Sequence, residues 1–233
     1  MSDHLAKYDL HDPLQSAYRA GHCTETALIK VLNDIRSGVD NVDVALLILL
    51  DLSSAFDTID HNILLKRLNL EFGIRGTALD WVRSYLTDRS HTVVINDTSS
   101  APVELECGVP QGSVLGPILF TLSDRPLGNI NHKHNLQHHL YADDNQLYRL
   151  HSTAAATTTT ETSNCCRDIK IWMTNNKLKL NGDKTETILI GPSSRRRKCG
   201  MDSICVDGLT IPLSSSVKDL GVVIDSDLTL ENR

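Results

Sequence analysis

The sequence predicts an α+β fold in which a mixed or antiparallel sheet is covered by helices on one side. Residues 44–52 form a continuous aliphatic run, which is typical of a strand buried on both faces. Residues 24–35 place their apolar side chains on one face of a helix. Two apolar segments, 136–141 and 145–150, flank a pair of aspartates and predict a β-hairpin with these carboxylates at its tip.

The elements after the first strand follow from the same patterns. Residues 62–70 and 77–86 have helical periodicity and are separated by a glycine-containing stretch. Residues 91–96 and 103–107 read as strands near an Asn96-Asp97 turn. The order of helices and hairpins supports an α+β arrangement.

The second half of the chain begins with a loop rich in glycine and proline at 108–117, followed by an apolar segment at 118–122. Residues 152–163 are of low complexity and predict a mobile connection, and residues 164–176 predict a helix. Short strands are expected at 187–190, 204–207 and 220–224.

Composition and charge narrow the function classes. The 233 residues carry a formal net charge of −6. Residues 1–150 hold 12 basic and 19 acidic side chains, whereas residues 151–233 hold 11 basic and 10 acidic ones. A free-standing nucleic-acid-binding protein normally carries a basic patch, so this balance argues against that class.

We predict neither a membrane-spanning nor a secretory segment. The longest apolar run, residues 44–50, is far shorter than the about 20 residues that a spanning helix needs. The N-terminus has no basic region followed by an apolar stretch. No pair of the six cysteines has the two-residue gap of a zinc or redox motif, so we expect reduced thiols in an intracellular protein.

Three carboxylates are candidate metal ligands. Asp51 lies near the end of the predicted buried strand, where an isolated charge is unfavourable. Asp143 and Asp144 are adjacent and repel each other. A divalent cation would neutralise all three if the hairpin tip met the end of the strand. The alternative is a strand-end cap and a solvated turn, which are common roles of aspartate.

Six segments in order resemble the motifs of a reverse transcriptase, specifically that of LINE-type (non-LTR, jockey-like) retrotransposons. They are LQSAYRAGHCTETAL at 14–28, ILLDLSSAFDTIDH at 48–61, GVPQGSVLGPILF at 108–120, YADD at 141–144, LKLNGDKTE at 178–186 and VKDLGVVID at 217–225. A lone YADD is weak, whereas six blocks in the right order are specific. The resemblance implies a polymerase palm at 44–233 with a residual fingers segment at 1–43 and no thumb.

The resemblance further implies RNA-directed DNA synthesis by two-metal nucleotidyl transfer, with an RNA template, a DNA primer and dNTPs as partners. Asp51, Asp143 and Asp144 would hold two Mg²⁺ ions, or Mn²⁺, and act as the catalytic carboxylates. Lys184 would protonate the leaving pyrophosphate, its alternative being a solvated loop lysine. Phe56 would exclude the ribose 2′-hydroxyl of a nucleotide, its alternative being core packing.

The remaining residues that the resemblance implicates would contact nucleic acid. Those expected to contact the nucleotide or template are Pro110, Gln111, Gly112, Tyr141 and Arg19. Those expected to support the primer end are Leu220, Gly221 and Val222. A purely structural role is the alternative for each of these groups. Residues 110–112 could form a plain turn, Arg19 could form a surface salt bridge, and residues 220–222 could pack as an ordinary strand.

Two other function classes are retained. A truncated and inactive or repurposed fragment would act at most as an RNA- or protein-binding module, as the expected loss of fingers and thumb suggests. A two-metal nuclease would leave Phe56 and the segment 108–120 without a role.

Two further clusters of side chains have weaker signals. One consists of His132, His134, His138 and His139, whose spacing fits no zinc motif. The other is the basic run Arg195 to Lys198, which could bind nucleic acid or act as a nuclear address. For this run we expect a solvated loop.

Overall fold

The computed structural model describes residues 1–41, 44–151, 157–206 and 208–229, except for the side chains of 157–160. The helices, numbered in chain order, are α1 (Ser2–Lys7), α2 (Thr24–Asn41), α3 (His61–Leu70), α4 (Thr77–Leu86), α5 (Leu115–Asp124), α6 (Pro126–Lys133), α7 (Thr157–Asn175) and α8 (Ser193–Cys199). The strands are β1 (Val44–Leu50), β2 (Ser90–His91), β3 (Val94–Ile95), β4 (Thr98–Ser99), β5 (Val103–Glu104), β6 (Gln137–Tyr141), β7 (Asp144–His151), β8 (Glu186–Ile190), β9 (Ser203–Val206), β10 (Leu209–Pro212), β11 (Ser216–Asp219) and β12 (Val222–Asp225). Within these residues, no helix is long and apolar enough to cross a membrane.

The chain divides into two compact units. Unit 1 comprises Met1–His11, Ser54–Asp124 and Asn176–Leu178, and unit 2 comprises Asp12–Ser53, Arg125–Asn175 and Lys179–Arg233. The division at residue 44, which follows the sequence motifs, stays a prediction.

Unit 2 is built on a four-stranded sheet with the order β6-β7-β1-β8. All three strand pairings are antiparallel, so the α+β prediction is confirmed and its sheet is antiparallel. The aliphatic run of β1 lies between two strands, and six of its seven residues are buried. This central place explains why β1 shows no alternation of polar and apolar residues.

Helices cover both faces of this sheet, so the prediction of cover on one side is wrong. On one face Leu47, Tyr148 and Ile188 share a buried cluster with apolar residues of α2. On the other face Arg149 forms an ion pair with Glu161 of α7. Because neighbouring residues of a strand point to opposite faces, Tyr148 and Arg149 mark the two covered sides.

The connection predicted at 152–163 is partly helical. Helix α7 begins at Thr157, so residues 157–163 belong to it, whereas 152–156 lie outside the described residues. Thr162, Cys165 and Cys166 of this helix are at most 3% exposed. Tertiary packing of this buried face outweighs the weak helix propensity of a threonine-rich segment.

Unit 1 contains α3, α4 and α5. Asp60 caps α3, because its side chain accepts a hydrogen bond from the backbone N–H of Ile63 at 2.9 Å. The predicted strands at 91–96 and 103–107 are two short antiparallel pairs, β3 with β4 and β2 with β5. The apolar segment at 118–122 lies within α5.

Candidate active site

Strand register brings Asp51 and Asp144 to the same end of the unit 2 sheet. In the β1–β7 pairing Leu50 lies opposite Asn145, so Asp51, the next residue, falls beside Asp144. Asp51 keeps a strand-like place, because its carbonyl accepts a hydrogen bond from the N–H of Asn181 at 2.9 Å. The juxtaposition that the sequence expected for these two carboxylates is therefore present.

The two adjacent aspartates of the β6–β7 hairpin lie in different elements. Tyr141 pairs with Asp144, so Ala142 and Asp143 form a two-residue turn while Asp144 is the first residue of β7. Ala142 has a φ of 54°, a left-handed conformation that is uncommon for a residue with a Cβ atom. Both carboxylates were expected at the tip, but only Asp143 lies in the turn itself.

The charged form of the Asp144 carboxyl is unfavourable in the folded protein. Partial burial, followed by the charges of Asp143 and Asp51, raises the pKa of its carboxyl to about 6. Asp51 carries a buried Oδ2 atom that has no hydrogen-bond partner among the described residues. Both observations indicate that the carboxylates at this end of the sheet are incompletely stabilised in their charged form.

Asp51 and Asp144 line a cavity of about 330 Å³. Its charged lining consists of Asp51, Asp144, Asp183, Glu186, Asp219, Lys184 and Lys218. The sequence-predicted Lys184 thus lies in the same cavity as two of the predicted carboxylates. Lys218, which sequence reasoning missed, adds a second cationic side chain.

The donor chemistry of this cavity suits a hard divalent cation, which prefers carboxylate oxygen. The unpartnered Oδ2 of Asp51 and the raised pKa of Asp144 are the features that such an ion would relieve. Over the described residues, no group of three or more His, Cys, Asp or Glu side chains is arranged as a preformed metal site.

A buried polar pair ties the β11–β12 hairpin to β7. The Nε2 of Gln146 donates to Oδ1 of Asp219 at 2.8 Å, and both residues are at most 3% exposed. Burial raises the pKa of Asp219 to about 6. The hydrogen bond from Gln146 opposes this increase, and the charge of Asp144 adds to it.

The turn of the β11–β12 hairpin consists of Leu220 and Gly221. Both residues have positive φ, as a type I′ turn requires.

We expect Gln146→Glu to destabilise the protein by about 3 kcal/mol, because it opposes two buried carboxylates. Adding Asp219→Asn should restore at least half of the loss, since the introduced amide would then donate to the introduced carboxylate. Urea unfolding of both single variants and the double variant measures this exchange. A double variant no more stable than Gln146→Glu would contradict the buried contact.

Of the predicted nucleotide-contact residues, Phe56 and the loop residues 110–112 lie together in unit 1. The N–H of Val109 donates to the carbonyl of Phe56 at 2.8 Å, joining the 108–117 loop to the segment after Asp51. The Nε2 of Gln111 donates to both carboxylate oxygens of Asp57, at 3.0 and 3.1 Å. The ring of Phe56 stacks on Phe120 with centroids 4.6 Å apart, so it is fixed within the unit.

Other predicted residues have identifiable contacts in unit 2. The Arg19 guanidinium donates to the carbonyls of Asp12 and Gln15 at 2.9 and 3.0 Å. Tyr141 is the last, partly exposed residue of β6. Tyr18, which sequence reasoning missed, is close to the turn: burial and then the charge of Asp143 raise the pKa of its hydroxyl.

The four histidines do not converge on one point. His134 bonds to Asp168 through Nε2 at 2.8 Å, whereas His139 contacts the hydroxyl of Ser16 at the same distance. Burial lowers the pKa of both His138 and His139 to about 4, so they are neutral core residues.

The basic run is helical, which corrects the expectation of a loop. Residues 195–198 lie in α8. Arg195 donates to the carbonyl of Val39 at 3.2 Å, and Arg196 donates to the carbonyl of Ser226 at 2.6 Å. Two of the four basic side chains thus form hydrogen bonds within unit 2. The run of basic residues in the sequence did not predict these contacts.

Comparison with known proteins agrees with this architecture. A family profile described as reverse transcriptase (RNA-dependent DNA polymerase) matches residues 1–224, and the chain belongs to this family. Among curated proteins, it is 28% identical over 233 residues to the probable RNA-directed DNA polymerase from transposon BS of Drosophila melanogaster, covering 92% of the chain and 24% of that protein. It is also 28% identical over 221 residues to the RNA-directed DNA polymerase from mobile element jockey of the same species, covering 92% of the chain and 23% of that protein.

Solved structures with a similar fold are telomerases. Apo telomerase from Candida tropicalis, truncated from its C-terminal domain, matches with a TM-score of 0.65 and 14% identity, over 98% of this chain and 42% of that one. Telomerase from Candida albicans, in complex with the TWJ fragment of telomeric RNA, matches with a TM-score of 0.64 and 12% identity, over 98% and 36% of the two chains. At these sequence identities the similarity concerns the fold alone.

The chain spans about a quarter of the length of the curated relatives it matches.

Proposed function

We propose that this chain is the RNA-directed DNA polymerase domain of a non-LTR retrotransposon. It would transfer nucleotides from dNTPs to the 3′-hydroxyl of a DNA primer on an RNA template. The observation that carries the proposal is the cavity in which Asp51, Asp144 and Lys184 meet, in a chain of the reverse transcriptase family. Residues 44–233 would be the palm, and residues 1–43 would be a residual part of the fingers. An intracellular location remains part of the proposal.

Asp51, Asp143 and Asp144 would hold two Mg²⁺ ions, or Mn²⁺, at this end of the sheet. When bound, such ions lower the pKa of a primer hydroxyl and neutralise charge on a leaving pyrophosphate. The chain itself would supply the proton donor: the ammonium group of Lys184, which lines the same cavity, would protonate that leaving group.

The contacts within unit 1 support a role in nucleotide selection. Phe56 would exclude a 2′-hydroxyl sterically, because stacking on Phe120 prevents its ring from moving aside. Gln111, with Pro110 and Gly112, would contact the nucleotide and template through an amide that Asp57 holds in place. These roles depend on the family resemblance and on the rigidity of the loop.

The remaining assignments concern nucleic-acid contacts of unit 2. Leu220, Gly221 and Val222 would support the primer end, because their hairpin is joined to β7 through Asp219. Tyr141 would contact the nucleotide or template beside the turn. Arg19 would approach the template while two of its hydrogen bonds hold the preceding loop.

Primer extension by the purified chain, with an RNA template, a DNA primer, labelled dNTPs and Mg²⁺, tests the proposal. We expect templated products that disappear when EDTA is added. Nucleic-acid binding without extension would instead support the rival class, an inactive or repurposed binding module. Cleavage of an RNA–DNA hybrid without extension would support a nuclease.

We expect Phe56→Ala to raise the incorporation of ribonucleotides relative to deoxynucleotides by at least about tenfold, because a steric barrier is removed. The ratio of kcat/KM for an rNTP and its dNTP measures this change. The matched control is Phe72→Leu, a buried aromatic of the same unit. Equal selectivity in wild type and Phe56→Ala would exclude the proposed role.

A further inference from the structure

The side chain of Gln15 clamps the backbone of the turn between β6 and β7. Its Oε1 accepts hydrogen bonds from the N–H of Ala142 at 3.1 Å and from that of Ala17 at 2.9 Å. Its Nε2 donates to the carbonyl of Ala142 at 3.2 Å. One primary amide thus satisfies both backbone groups of Ala142, which lies 127 positions away in the chain. A carboxylate or an apolar side chain could not make both contacts.

Ala142 is the residue of this turn that most needs external support. Its φ of 54° lies in the left-handed region, which residues other than glycine seldom adopt. Asp143 and Asp144 follow it directly, so the conformation of Ala142 sets the direction in which the chain enters both carboxylates. Strained backbone of this kind persists only where surrounding contacts hold it in place.

The segment that carries Gln15 is itself firmly held against the sheet. The N–H of Leu140 donates to the carbonyl of Leu14 at 2.8 Å, and the N–H of Ser16 donates to the carbonyl of Leu140 at 2.9 Å. Arg19 further binds the carbonyl of Gln15. Gln15 is only 3% exposed, so its amide is shielded from competition with water.

We propose that Gln15 is a positioning residue of the candidate active site. Its amide holds Ala142 in the left-handed conformation and thereby presents Asp143 and Asp144 to a divalent cation. The proposal rests on the proposed function for the identity of the site. It differs from a simple anchoring of the segment 12–19, because it requires that the conformation of Ala142 link Gln15 to the carboxylates.

The test is Mn²⁺ binding to the purified full chain, followed through the electron paramagnetic resonance signal of free Mn²⁺, which does not depend on turnover. Gln15→Met retains length and volume but removes both kinds of hydrogen bond. We expect it to weaken Mn²⁺ binding about tenfold, as the loss of a group that orients metal ligands does. Gln137→Met, an exposed substitution on β6, should leave the affinity unchanged.

Substitution of the turn residue separates positioning from anchoring. Glycine adopts positive φ without strain, so Ala142→Gly alone should bind Mn²⁺ within about twofold of wild type. Gln15→Met combined with Ala142→Gly should recover most of the affinity lost in Gln15→Met. A double variant as weak as Gln15→Met would overturn the proposal, as would unchanged binding by Gln15→Met.

Failure of the proposed function would be seen separately. If wild type and Asp144→Asn bound Mn²⁺ equally, the site assignment itself would be wrong, and the positioning role would fall with it. If Asp144→Asn weakened binding while Gln15→Met did not, only the positioning role would be overturned. Thermal unfolding of each variant identifies any loss of affinity that follows from loss of the fold.

Discussion

Asp51→Asn and Asp144→Asn should each reduce templated nucleotide incorporation by at least about a hundredfold while retaining the wild-type fold. Asparagine preserves shape but removes the negative charge that would hold a divalent cation. Both side chains line the same cavity of unit 2, so neither can be replaced by the other. Single-turnover primer extension with circular dichroism on the same preparations measures both properties.

Asp144→Asn should have a second, opposite effect on stability. The pKa of Asp144 in the folded protein is raised from 3.8 to about 6, so folding favours its uncharged form. The stability that this group contributes is present below about pH 4 and is lost as the pH rises through 6. In EDTA, the thermal midpoint of Asp144→Asn should therefore rise relative to that of wild type across this interval.

The control for both effects is Asp97→Asn, which removes an exposed carboxylate from the β3–β4 turn of unit 1. It should change neither incorporation nor the pH dependence of stability. Comparable nucleotide incorporation by Asp144→Asn and wild type would contradict the assignment of Asp144 to the active site. A variant that lost both activity and stability would indicate a structural role for Asp144.

Local patterns were sufficient for the elements that carry the predicted carboxylates. The aliphatic run of β1 and the apolar segments around Asp143 and Asp144 predicted a strand and a hairpin, and both are confirmed. The expected proximity of Asp51 and Asp144 follows from the antiparallel register, in which the end of β1 meets the start of β7. These features depend on short-range periodicity, which sequence inspection detects well.

The missed residues act through contacts between distant parts of the chain. Gln15 and Ala142 are 127 positions apart, and Gln146 and Asp219 are 73 apart. A lone buried glutamine has no periodic signal that would name its partner. The two-sided cover of the sheet could have been recognised, because β1 is apolar at positions that face both sides.

Gly108→Ala should destabilise the protein by about 3 kcal/mol and impair nucleotide incorporation, through two combined effects. The φ of Gly108 is +83°, and an added Cβ would lie 2.8 Å from the carbonyl oxygen and 2.9 Å from the Cα of Asp57. These neighbours are backbone atoms, which cannot rotate away as a flexible side chain could. The 108–117 loop would have to separate from the segment that carries Phe56.

Gly73→Ala isolates the backbone contribution to this loss. Gly73 also has a positive φ, +65°, but no atom lies within 4 Å of an added Cβ. It should lose only about 1 kcal/mol, the ordinary penalty of an alanine in the left-handed region. Urea unfolding of both variants measures the difference, which reports the close approach of Gly108 to Asp57. Equal losses would show that the loop can move apart from Asp57 without penalty, and the rigid placement of Phe56 and Gln111 would then lose its structural basis.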